Sequence, residues 1–394
     1  MTKVLLDIAI ILLATKLGGL AARRLKFPEV LGALLAGLII GPAVAGVVEL
    51  DENIKLLSNI GVIMLMFTAG IETDVSQLKK AGKSSFAIAL MGIFLPLVLG
   101  TAGAFAFYDN MWENIFIGAI LSATSVSITA ETLNELGKIN TRSGINILGA
   151  AVIDDILGLI LISVLLPLAG KSGETTGTEL AIKLIGILVF CTVAILAVAY
   201  LPKYINAMLE KVPSGRTLLT LTIAAALIAA AVAEELGIAG ITGAYLFGLL
   251  ISRLKCREGM LRGLKTISSG FLAPIFFASI GLEATFKGFG FTTLLISVAM
   301  FVIATAGKLI GCAGAARMMG LKRSEAAQIG SGMVSRGEVA IITANIGLKA
   351  GIISQEIFMP TIVVVILTTL VTPLLLRTAY SHRFIKSADG LKRV

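Results

Sequence analysis

Long apolar runs, each cut short by a few polar or glycine-rich positions, follow one another from residue 4 to residue 380. A helix needs about 17 to 25 such residues to cross a bilayer. Divided on that length, the pattern predicts thirteen spans, near 3–21, 30–48, 57–72, 84–107, 113–137, 144–167, 179–200, 217–235, 238–252, 265–282, 291–318, 324–348 and 355–380. Composition agrees: 57% of the residues are hydrophobic and 14% charged, against about 45–50% apolar in soluble domains. The expected class is an all-α polytopic membrane protein. No basic segment with a small-residue cleavage pattern precedes the first run, so that run reads as a retained span.

The loops alternate in charge. Basic stretches such as "RRLK" (23–26), "KKAGK" (79–83), "KINTR" (138–142), "RLKCREGMLRGLK" (253–265) and the tail 381–394 alternate with acidic or nearly neutral ones such as "ELDE" (49–52) and "YDNMWE" (108–113). Under the positive-inside rule the N-terminus lies outside and the C-terminus in the cytoplasm of a cell membrane. The net charge of +9 is therefore a topology signal, and nucleic acid is not an expected partner. Three scattered cysteines, Cys191, Cys256 and Cys312, make neither a disulfide framework nor a metal site.

An internal repeat organises the spans. "GALLAGLII" (32–40) matches "GAYLFGLLI" (243–251), "FTAGIET" (67–73) resembles "ASIGLEA" (278–284), and "GTAGA" (100–104) matches "GCAGA" (311–315), all displaced by 211 residues. The same shift lays Thr124 on Ser335. Seven spans separate the members of each pair, an odd number, so the copies run in opposite directions. The expected organisation is a single transporter unit over 1–394, with a first six-span repeat at 1–167, a linker span and cytoplasmic loop at 168–216, and a second repeat at 217–380. Secondary transporters of this kind carry broken helices at matching positions. Here the candidates are "SATSVSITAETLNE" (122–135) and "GSGMVSRGEVA" (330–340), where hydroxyls replace Leu and Val.

Asp154 and Asp155 stand in the middle of the sixth span, in "AAVIDDILGLI". A carboxylate at the bilayer centre costs about 2.5 to 3.5 kcal/mol on insertion scales, so such residues mark function. Neighbours on a helix point about 100° apart, so one carboxylate faces a fixed partner while the other faces water. Small residues at Ala151 and Gly158 flank Asp155 on one face, where a neighbouring backbone is expected to pack closely. Lys308, also deep in an apolar span, is the expected partner of the remaining acid. Two acids and one base buried together couple their titrations, so a proton and a hard cation compete for one oxygen-lined site. The single histidine, His382, lies in the basic tail. Arg336 and Glu338, two apart, are each expected to meet another charge, such as Glu72.

"PEVLGALLAGLIIGP" (28–42), "MLMFTAGIETD" (64–74), "ATSVSIT" (123–129), "AAVIDDILGL" (150–159), "GKLIG" (307–311) and "SRGEVA" (335–340) together resemble the monovalent cation:proton antiporter-2 family over nearly the whole chain. The resemblance implies a homodimeric sodium/proton antiporter of the Asp-Asp type, not an enzyme and without a cofactor. It implies a dimerisation domain and a core that moves as an elevator, electrogenic exchange, and a role in pH homeostasis. By the same resemblance Asp155 carries the cation and the proton, Asp154 pairs with Lys308, Thr124 and Ser125 lie at the crossing of the broken helices, and Na⁺ binds at Asp155 and Asp154. Glu338, Arg336 and Glu72 are expected as supporting charges. A potassium/proton antiporter of the Kef type is the nearest alternative. An intramembrane aspartyl protease would want its acids on separate helices, and a buried lysine disfavours an ion channel.

Overall fold

A computed structural model describes residues 2–25, 27–169, 177–209, 215–236, 238–284 and 290–381, and every regular element among them is helical. In chain order these are α1 (Thr2–Arg24), α2 (Glu29–Ile40), α3 (Glu52–Glu72), α4 (Val75–Ala104), α5 (Met111–Ser122), α6 (Val126–Glu135), α7 (Arg142–Leu168) and α8 (Gly177–Leu209). There follow α9 (Gly215–Glu235), α10 (Gly240–Ile251), α11 (Arg257–Ile267), α12 (Ala273–Leu282), α13 (Phe291–Met318), α14 (Arg323–Gly332), α15 (Glu338–Lys349) and α16 (Gln355–Ala379). Nine stretches among the described residues are long and apolar enough to cross a membrane, counting α5 with α6 and α11 with α12 as continuous. α2, α10 and most of α15 are apolar but shorter. Leu13 and Leu17 on α1 and Val302 on α13 are exposed, as side chains facing lipid should be. The tail 382–394, with His382, lies outside the described residues, as does most of the expected loop after α7.

Helix overlaps each expected stretch, in whole or in part, and several boundaries move for local reasons. The span expected at 30–48 stops at Ile40, because Gly41 and Pro42 follow and Pro cannot continue the ladder. α3 begins at Glu52 because Asp51 caps it, accepting from the Ile54 N–H at 2.8 Å. α4 begins nine residues earlier than expected, at Val75, since Asp74 accepts from the Ser76 N–H at 2.8 Å. The span expected at 265–282 is preceded by the amphipathic α11, which runs into α12 through a π turn, Ser268–Leu272.

α2 and α10 keep the displacement of the sequence motifs at both ends, and the other helix pairs follow it to within a few residues. α2 and α10 have twelve residues each, and Glu29 and Gly240 are 211 positions apart. α6 and α15 both end in a left-handed glycine, Gly137 (φ 64°) and Gly351 (φ 63°). At each, the following N–H reaches back, from Lys138 to the Leu133 carbonyl at 2.7 Å and from Ile352 to the Gly347 carbonyl at 2.9 Å. That is the glycine-terminated helix end that satisfies otherwise orphaned carbonyls.

The chain divides into two compact units, each drawing on both halves of the sequence. The first comprises Met1–Ala21, Gly32–Lys79 and Gly177–Glu283. Small residues let its helices meet backbone to backbone: a Cβ on Gly248 would lie 2.4 Å from the Phe67 carbonyl, and one on Gly281 2.4 Å from the Leu38 nitrogen. Membrane helices associate through such close packing because lipid removes the hydrophobic drive. The second unit comprises Ala22–Leu31, Lys80–Thr176 and Ala284–Val394. Its core gathers Phe116, Ile120, Met300, Ala344, Ile357 and Val364.

Candidate functional site

Within the second unit α5 and α14 both stop short, and their continuations α6 and α15 begin after extended residues at 123–125 and a non-helical stretch at 333–337. The two breaks are tied together. The Ser125 N–H donates to the Ser335 carbonyl at 2.9 Å, and the Ser335 hydroxyl donates to the Ser125 carbonyl at 2.6 Å. Thr129 donates to the Gly332 carbonyl at 2.7 Å, and the Ser125 hydroxyl sits 3.1 Å from that of Ser127. A Cβ on Gly337 would lie 2.7 Å from the Ser125 side chain, so the crossing admits only glycine there.

Breaking two helices leaves C-terminal carbonyls without partners. Arg336, 1% exposed, supplies donors for them. Its guanidinium donates twice to the Leu121 carbonyl, at 3.0 and 2.6 Å, and also to that of Val334, and it reaches the Ala304 carbonyl inside the unbroken α13 at 2.9 Å. Thr368 accepts from the Arg336 N–H at 3.2 Å and Thr369 donates to its carbonyl at 2.7 Å. The sequence expectation of an acidic partner such as Glu72 is corrected here: Glu72 pairs with Lys265 within the first unit. A guanidinium at two helix C-termini is stabilised by the ends of the helix dipoles. Glu338 opens α15, and its side chain lies outside the described residues.

On α7, Asp154 and Asp155 are 3% and 5% exposed. Lys308 of α13, fully buried, donates to Asp154 Oδ1 at 2.9 Å. Its position follows from glycine packing between α4 and α13. A Cβ on Gly307 would lie 3.0 Å from Pro96 Cα, and one on Gly311 2.7 Å from the Met91 carbonyl. A Cβ on Gly92 would stand 2.8 Å from the Cys312 sulfur and 3.4 Å from Lys308 Nζ, so the ammonium occupies space that a larger residue would take.

Beside this pair lies a cavity of about 10 Å³, room for roughly one water-sized species. Asp154, Asp155, Ser122, Thr124, Gly158 and Thr343 are among its lining residues. The close backbone approach expected at Gly158 is corrected: a Cβ there would meet nothing within 4 Å, so the small residue leaves open space beside Asp155. Thr124 is 2% exposed, and its hydroxyl has no hydrogen-bond partner among the described residues. The polar groups around the cavity are oxygens, the donors a hard cation takes. Among the described residues no three His, Cys, Asp or Glu side chains form a metal cluster. Asp154, Asp155, Thr124 and Lys308 are thus brought together, Ser125 lies at the adjoining crossing, Arg336 holds helix ends, and Glu72 belongs to the other unit. Thr343, Thr368 and Thr369 escape sequence reasoning because a hydroxyl or two on an apolar helix leave no pattern, whereas Ser122 belongs to the hydroxyl-rich stretch 122–135.

Comparison with known proteins reports the same kind of molecule. Residues 8–379 match the family described as sodium/hydrogen exchanger, transmembrane. The chain is 42% identical over 380 residues to the Na(+)/H(+)-K(+) antiporter GerN of Bacillus cereus, covering 96% of each chain. To the Na(+)/H(+) antiporter of Enterococcus hirae it is 36% identical over 373 residues, covering 94% of this chain and 96% of the other. The solved structure of the sodium proton antiporter MjNhaP1 of Methanocaldococcus jannaschii superposes with a TM-score of 0.69 at 18% identity, over 98% of this chain and 100% of that one, a likeness of fold. This chain belongs to the transmembrane sodium/hydrogen exchanger family.

Proposed function

We propose that the chain exchanges protons for a monovalent cation, Na⁺ or Li⁺, across the cell membrane. The observation that carries this reading is the buried Asp154–Lys308 pair beside a cavity that Asp155 and the unpartnered Thr124 hydroxyl line. A carboxylate in such a site is stabilised either by a proton or by a cation, and the two compete. Asp155 is the carrier. Cation arrival draws Asp154 away from Lys308, and an ammonium that loses its counter-charge in an apolar site is driven to release its proton. Two protons then move per cation, and the cycle is electrogenic.

In this reading thirteen spans form two inverted six-helix repeats, supported by the 211-residue displacement that the motifs share with the ends of α2 and α10. The second unit is the mobile core that carries Asp155 as an elevator, and the first is the scaffold of a homodimer. The basic loops and tail are cytoplasmic and the N-terminus is outside. The name of the GerN relative includes K⁺, which keeps potassium as the second reading for the cation.

The test is transport by the purified protein in liposomes with a trapped pH-sensitive dye, adding Na⁺, Li⁺ and K⁺ salts in turn. The same vesicles held at imposed potentials read the stoichiometry. Asp155→Asn, whose amide carries no exchangeable acid proton, is expected to abolish flux in a folded protein. Cation-dependent proton flux in that variant removes Asp155 from the mechanism.

A further inference from the structure

The cavity's polar lining comes almost wholly from the first half of the chain: Ser122 at the end of α5, Thr124 in the break, and Asp154 and Asp155 on α7. Thr343 of α15, 1% exposed, is the polar side chain that the second broken helix contributes to it. We infer that Thr343 is a ligand of the transported cation and sets its affinity, an assignment that rests on the antiporter reading.

The hydrogen bonds around these hydroxyls carry the argument. A hydroxyl has one proton to donate and two lone pairs to offer. The Thr343 hydroxyl donates its proton to the Val339 carbonyl at 2.8 Å, and the Ser122 hydroxyl donates to the Ala119 carbonyl at 2.7 Å. Both protons are held by the helix's own backbone, so what remains for the cavity is lone pairs. Thr124 brings a hydroxyl with no partner among the described residues. The unsatisfied Thr124 hydroxyl and the spare lone pairs of Thr343 and Ser122 lie beside two carboxylates, and a buried polar group left without a partner costs free energy. They suit a small hard cation that takes all its ligands as oxygen. With Thr343 included, both broken helices hold the ion, so its arrival is felt on both sides of the crossing.

The test compares Thr343→Val, which keeps the shape and removes the oxygen, with Thr343→Ser, which keeps the oxygen and removes the methyl. Two quantities are measured: the Na⁺ concentration for half-maximal proton flux in liposomes, and that for half-maximal thermal protection of the detergent-solubilised protein. Losing one ligand oxygen to an ion is expected to raise both by about tenfold or more in the Val variant. The Ser variant, which keeps the oxygen, should bind as the parent does. Unchanged half-saturation in the Val variant overturns the assignment, as does an equal shift in Val and Ser, which would make the methyl's packing the cause. A parent protein that shows neither cation-dependent flux nor cation protection overturns the antiporter reading itself.

Discussion

Removing one partner of the Asp154–Lys308 pair should be far more damaging than removing both. The two groups meet at 2.9 Å with side-chain exposures of 2% and 0%. At that distance and an effective dielectric constant of about 20, unit charges attract by roughly 6 kcal/mol. Desolvation takes back much of this, several kcal/mol per ion, so the intact pair contributes little net stability. Lys308→Gln alone leaves a buried carboxylate without its hydrogen-bonded counter-charge, and Asp154→Asn alone leaves a buried ammonium; each should lose about 3–5 kcal/mol. The double variant places two neutral amides in hydrogen-bonding reach and should be more stable than either single one, with a coupling of about 3 kcal/mol. Unfolding in mixed micelles of rising SDS fraction measures all four proteins. Losses that add within about 0.5 kcal/mol would mean that the groups do not interact as a charged pair.

Arg336→Met should leave the Leu121 and Val334 carbonyls buried without donors, at about 1–3 kcal/mol each. Arg336→Lys, with three donors, should fall between parent and Met in the same titration, and a Met variant as stable as the parent would refute the capping role. Asp74, outside the spans, is held down to about 2, chiefly by the Ser76 hydroxyl and the Gln77 amide. Its folded value lies below the unfolded 3.8, so its contribution is complete above about pH 5 and is lost as pH falls through 4 toward 2. The melting difference between the parent and Asp74→Ala should therefore narrow on acidification, and an equal gap at pH 7 and pH 3 would refute it.

How much of this was readable in the sequence depends on whether a feature leaves a chemical mark in the chain. Asp154, Asp155 and Lys308 stand out because ionisable groups in apolar runs are costly and rare. The helix breaks at 123–125 and 333–337 show as hydroxyl and glycine runs in one register, and the 211-residue displacement reappears at both ends of α2 and α10. The cavity beside Gly158 leaves no such mark, because a glycine looks the same in sequence whether a backbone packs against it or nothing does. Arg336 misled for a related reason. Its acceptors are main-chain carbonyls, which no side chain reveals, so a carboxylate was sought for it. Helix ends such as Ile40 and Val75 were set by a proline and a capping aspartate, local signals that hydropathy averages away.

The guanidinium of Arg336 also bears on leakage. Rings of backbone carbonyls are how potassium-selective pores strip and pass an ion, and two interrupted helices pointing their carbonyl ends inward come close to building such a ring. Here Leu121, Val334 and Ala304 are already filled by a charge that is part of the chain and cannot move on. A stray cation arriving at the crossing meets a tethered cation already seated on these carbonyls. A charge that the chain itself supplies at the crossing of the α5–α6 and α14–α15 breaks opposes the passage of another cation there.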